Sequence, residues 1–148
     1  MAKTSTKSPK LTLDNASLEE EFFEDVVLLG MVSALTPESL AWRINQLLGM
    51  GFARNAEADI LVDKRFHIVY EYIEQDKLVE HFLLSNRHKM HFLLPEIKPI
   101  DYLWMIKGSH VIHQYTQVLP GAVSKIQQIG YCTVLDCSKL PHREYLIL

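Results

Sequence analysis

Glu96 and Asp101 are the two side chains whose surroundings best suit chemistry. They sit in the stretch Leu94-Pro95-Glu96-Ile97-Lys98-Pro99-Ile100-Asp101-Tyr102, ahead of the apolar run Leu103-Trp104-Met105-Ile106. Two carboxylates held in different environments can act as acid and base, with Lys107 or Arg87 tuning one of them. A structural role competes with that chemistry. Pro95 and Pro99 restrict the backbone of a turn, Glu96 can accept backbone N–H groups, and Asp101 can cap the entry to a strand. The structural role is favoured because no catalytic signature accompanies the pair. Ser33, Ser39, Ser85 and Ser124 lie in no G-x-S-x-G elbow, and the chain has neither a G-x-G-x-x-G nor a phosphate loop.

Other residues qualify as contacts rather than catalysts. Tyr102 and Trp104 share a strand face and suit packing, or else a floor for a planar ligand or base. Asn86 and Arg87, following an apolar strand, are the expected exposed anion or partner contact. Trp42 falls at the edge of a helical stripe and reads as a second surface contact. Seven histidines are many for 148 residues, and His88/His91 and His110/His113 are each three apart. Neither pair has a cysteine or a matching carboxylate spacing, so no metal and no cofactor is expected. Cys132 and Cys137 are five apart on one expected strand, hence on opposite faces, and miss the C-x-x-C spacing. They read as two small thiols rather than a disulfide.

The elements that must position these residues follow from periodicity. Thr36 caps a helix with Pro37 at its first position, and Leu40, Ala41, Ile44, Leu47 and Leu48 form its apolar stripe up to Gly49 or Gly51. Leu18–Glu21 reads as a solvated lead-in to a strand running from Phe22 to Val32. Strands are expected at 58–62, at 66–73 as one piece, at 78–84, at 100–107 and at 131–136. Val111 to Leu119 has helical spacing, and Pro120-Gly121 interrupts or restarts that helix. Residues 1–9 are expected to be a disordered tail and Lys10–Asp14 a short edge strand, with 10–148 one domain. The expected architecture is an α+β two-layer sandwich. Its sheet is mixed and mostly antiparallel, with helices on one face, loosely ferredoxin-like.

Composition narrows the function. A 48% hydrophobic, 22% charged chain is globular. No apolar run approaches the ~18–20 residues that cross a membrane, and the lysine-bearing start lacks a signal-peptide core, so a cytoplasmic protein is expected. A net charge of −3 without a basic stripe argues against nucleic acid. At least two strands are apolar on both faces, and leaving several large side chains wet would forgo roughly 1.5–3 kcal/mol each. A second copy, another protein or an apolar ligand should cover the bare face, and a homodimer packed through the sheet is the expectation.

The stretch Leu94-Pro95-Glu96, three residues, then Ile100-Asp101-Tyr102 resembles the signature of the small bacterial IPExxxVDY family, with Leu for Ile and Ile for Val. Chain length, the apolar strand after the motif and the segment Leu40-Ala41-Trp42-Arg43-Ile44-Asn45 are also similar to that family. The resemblance implies a class of protein and no particular reaction. The expected function is a non-enzymatic binding or adaptor domain acting as a homodimer, with another protein or a small metabolite as partner. The recognition residues would be Pro95, Glu96, Asp101, Tyr102, Trp42, Asn86 and Arg87. Alternatives are a small enzyme with Glu96 or Asp101 as general base, and RNA binding through Tyr70, Tyr72, Tyr102 or Trp104.

Overall fold

Strands that are apolar on both faces need cover on both sides, and the fold supplies it from within the chain. The computed structural model describes residues 16–108 and 112–148. The expected N-terminal tail, the Lys10–Asp14 strand and His110 lie outside the described residues. Six strands form one sheet in the order β10-β1-β9-β6-β5-β2. They are β1 (Val26–Ser33), β2 (Ala53–Arg54), β5 (Val69–Glu74), β6 (Val79–Ser85), β9 (Tyr102–Lys107) and β10 (Ile129–Leu135). Two small hairpins stand beside it, β3 (Ile60–Val62) with β4 (Arg65–His67), and β7 (Arg87–His88) with β8 (His91–Phe92).

The α+β class and the mostly antiparallel sheet agree with expectation. Every described pairing is in fact antiparallel. The parallel pair that a βαβ unit of the ferredoxin kind would contribute is therefore absent among the described strands.

Alternation along the central strands divides the core in two. On β9, Tyr102, Trp104 and Ile106 join Val27, Leu29 and Met31 of β1 on one face. That face is covered by helix α2 (Pro37–Leu48), through Leu40, Ala41 and Ile44, and by α3 (Ile112–Ser124), through Leu119 and Val123. Leu103 and Met105 of β9 join Leu28 on the other face. Phe23, Leu93, Leu94, Ile100, Leu140 and Leu146 close over it. The face expected to be bare is thus buried by the chain's own motif loop, C-terminal segment and first helix. Gly30 allows this close cover, because a methyl group there would lie 2.9 Å from Leu135 and 3.1 Å from Ile100.

Local departures have local causes. Residues 16–23 are helical (α1), so the strand begins at Val26 instead of Phe22. Leu18 and the three glutamates that follow are good helix formers. Lys107 ends that helix: its Nζ donates to the Phe22 carbonyl and to Asp25 Oδ1, both at 2.7 Å, and lies over the Phe22 ring. The single strand expected over 66–73 breaks at Ile68, where Asp59 takes the Val69 N–H and β4 turns away to pair with β3. Thr36 and Gly49 cap α2 as its sequence implies, whereas α3 runs straight through Pro120. The strand expected at 131–136 begins two residues earlier, at Ile129, and ends at Leu135.

Candidate functional site

The motif forms one turn of 3-10 helix at Pro95–Ile97, which Asn86 fastens down. Asn86 is completely buried. Its Oδ1 accepts the Leu94 N–H at 2.7 Å, and its Nδ2 donates to the carbonyls of Ile100 at 2.8 Å and Ile97 at 3.3 Å. Its backbone carbonyl accepts the Leu93 N–H, and its N–H donates to the Asp101 carbonyl. A side chain expected at the surface is therefore an internal staple, because it alone can satisfy both a donor and two acceptors left by the turn.

Asp101, also buried, joins three strands. Its Oδ2 accepts the Ser33 N–H at 2.9 Å at the end of β1, where the pairing with β10 shifts register. Its Oδ1 meets Arg87 at 2.7 Å, and its own N–H donates to the Met31 carbonyl. Arg87 remains half exposed, as expected of a contact residue, while spending its charge on Asp101. Glu96 holds the C-terminal segment: Oε2 accepts the His142 N–H at 3.1 Å and Oε1 faces His142 Nδ1 at 2.9 Å. Burial pushes the Glu96 carboxyl up, but the His142 backbone and ring bonds outweigh it and hold it below its ordinary value. Both carboxylates are thus engaged in tying segments together, which leaves neither as a free general base.

The aromatic residues are similarly committed. The Tyr102 hydroxyl donates to the Leu35 carbonyl, and burial raises its pKa to about 12. Trp104 has no exposed surface, and Tyr70 and Tyr72 pack against the helix-covered core. These four aromatics therefore form no open sheet face of the kind RNA stacking requires. Trp42, by contrast, is 60% exposed and stands with Leu35, Glu38, Ser39 and Arg43 around a shallow cavity of about 350 Å³. The two thiols are free, Cys132 in β10 and Cys137 in a short 3-10 helix beyond it. Burial raises both pKa values to about 11, so neither is an activated nucleophile.

Two histidine clusters were missed by spacing, since their members are far apart in sequence. The His67 Nδ1 lies 2.9 Å from the Ser85 carbonyl, which can only accept, so Nδ1 carries the proton. His67 Nε2 then accepts from His91 Nδ1 at 3.0 Å, and the outer nitrogen of His91 faces Asp63 at 3.5 Å. In the second cluster the Trp104 indole N–H donates to His81 Nδ1 at 3.0 Å. The other His81 nitrogen lies 3.3 Å from Glu74 Oε1, too poorly aligned for a hydrogen bond. Glu74 Oε2 in turn accepts from the Tyr115 hydroxyl at 2.7 Å. Among the described residues no group of three or more ligating side chains is arranged to hold a metal.

Both buried imidazoles are held neutral, and this has a measurable consequence. Burial lowers the pKa of His67 and of His81, in the latter against the pull of Glu74. A second proton on either ring would also point a donor at a donor, His91 N–H in one case and the indole in the other. The unfolded chain titrates its histidines near pH 6.5. Between that value and the lower folded one, the unfolded state binds more protons, so stability rises with pH. Urea titrations should therefore show the unfolding free energy falling from pH 7.5 to 5.5, by up to about 1.4 kcal/mol per pH unit for each imidazole. A flat or opposite trend would show that the rings charge freely in the folded state.

Comparison with family models, with curated proteins and with solved structures finds no match to this chain. What the fold itself defines is an α+β domain built on an antiparallel sheet. No helix among the described residues is long and apolar enough to cross a membrane.

Proposed function

We propose that this chain is a cytoplasmic, non-enzymatic binding or adaptor domain of the bacterial IPExxxVDY kind, acting as a homodimer. The observation that carries the reading is the edge strand β10. Among the described strands it pairs only with β1, and its seven residues, Ile-Gly-Tyr-Cys-Thr-Val-Leu, include no charge and no proline. Tyr131 and Val134 on it are exposed. Edge strands are normally blunted by charge, proline or brevity. The opposite edge obeys that rule, since β2 has two residues and one is Arg54. A strand without charges can pair with its own copy about a two-fold axis, each residue meeting its counterpart without like-charge repulsion. The sheet face, already covered from within the chain, is not needed for this association. The structural commitments of Glu96 and Asp101 support a binding role over catalysis.

Sedimentation velocity at micromolar concentration should give a dimer. Tyr131→Lys/Val134→Lys should give a monomer with an undiminished far-ultraviolet circular dichroism spectrum. A monomeric wild type at that concentration would remove the reading.

A further inference from the structure

We infer that the cleft between the two small hairpins is a binding site for a small phosphorylated molecule, its phosphoryl group held by Lys64, Arg65 and Lys89 and its apolar part resting on Phe66. This site is separate from the β10 edge, and its success or failure is independent of the dimer.

The cleft has a volume of about 640 Å³, within the range of small-molecule sites. Its shape comes from two tight turns. Asp63 and Lys64 both adopt left-handed backbone conformations (φ 51° and 65°), which suits a two-residue connection between β3 and β4. Lys89, also left-handed at φ 57°, makes the matching turn between β7 and β8. The hydrogen bond from His91 on β8 to the buried His67 on β4 locks one hairpin against the other. The walls are therefore positioned before any ligand arrives, which lowers the ordering cost of binding.

Charge decides the ligand class. Arg54 and Asp59 line the cleft but neutralise each other through two contacts at 2.6 Å. Asp63 faces His91. Lys64, Arg65 and Lys89 form no ion pair among the described residues, and His88 stands beside them. Three unpaired cations thus converge on one cleft of a chain whose net charge is −3. Such convergence is unfavourable without an anion, and a phosphoryl group offers enough oxygens for an arginine fork and two ammonium groups. Phe66, 56% exposed opposite Leu61 on the hairpin, and Ile68 supply an apolar surface in the same cleft. That combination selects an organic phosphate over the free inorganic ion.

Calorimetric titration of the full chain at low ionic strength tests this, with phenyl phosphate and inorganic phosphate as probes. Phenyl phosphate should bind one site per chain, at least threefold tighter than inorganic phosphate, and Phe66→Ala should close that gap. Lys64→Gln/Lys89→Gln should weaken both probes at least tenfold with an unchanged thermal midpoint. Lys125→Gln/Lys139→Gln, which removes the same charge outside the cleft, should bind as wild type. Absence of binding by the wild type, or equal binding by the two double variants, would overturn the site. A uridine decanucleotide binding ten times tighter than phenyl phosphate, and losing that advantage in Lys64→Gln/Lys89→Gln, would overturn the small-molecule assignment in favour of single-stranded nucleic acid.

Discussion

Asn86→Ala is expected to destabilise the protein by about 2–5 kcal/mol. The Asn86 side chain makes three hydrogen bonds at a site with no exposed surface. Its loss leaves the Leu94 N–H and the Ile100 carbonyl facing a void, and an unsatisfied buried polar group costs about 1–3 kcal/mol. Domains of this kind have total stabilities of about 5–15 kcal/mol, so much of the margin would go. Asn86→Asp makes the test specific. It preserves shape and the acceptor for Leu94, but it points carboxylate oxygen at two carbonyls that need a donor. The aspartate variant should therefore fall at least as far as alanine in urea-induced unfolding. If both variants retained wild-type midpoints, Asn86 would be the surface contact that its sequence context suggests.

Trp104→Ala is expected to cost about 3–5 kcal/mol, the range for truncating a buried large aromatic residue. Trp104 stands in the middle of β9, between Leu29 of β1 and Leu83 of β6, with no exposed surface. Phe52 meets its ring edge-on at 5.4 Å between centroids. The substitution removes both that packing and the only hydrogen bond to His81 Nδ1 among the described residues. Freed of the indole donor, His81 can take a second proton on Nδ1 while its Nε2 proton faces Glu74, so the variant's loss of stability between pH 7.5 and 5.5 should shrink as well. Urea titrations at both pH values read the two effects together. A cost under about 1.5 kcal/mol would mean that the indole is not tightly packed.

Features legible in the sequence were those settled within a few residues. The cap at Thr36, the left-handed Gly49 and the stripe through Leu40, Ala41, Ile44 and the half-buried Leu48 follow from neighbouring side chains, whereas Leu47, expected in the same stripe, is exposed. The hairpin joining β5 to β6 and the doubly apolar run of β9 were also plain. Errors arose where a local preference was decided elsewhere. Phe22 and Phe23 are good strand residues, yet they end a helix that Lys107, on the far side of the sequence, caps. Pro120 suggested a break, yet α3 continues through it because the helix packs on β10 and β1.

The candidate site divides the same way. The motif could be recognised as a turn leading into a buried strand because its prolines and carboxylates are adjacent. What those carboxylates hold could not be read, since their partners lie 46 residues away for Glu96 and His142, and 68 for Asp101 and Ser33. The clustering of His67 with His91 across 24 residues, and of His81 with Trp104 across 23, depends equally on strand order. By itself, then, the sequence determined the capped helix α2 and the central strands with their burial on both faces, because capping and apolar periodicity act over a few bonds. Tertiary structure alone decided that the chain covers its own second face, that β10 is an edge among the described strands, and that three cations without an ion pair among the described residues line one cleft between two hairpins. Those outcomes depend on which distant segments become neighbours in space, and no local pattern encodes that.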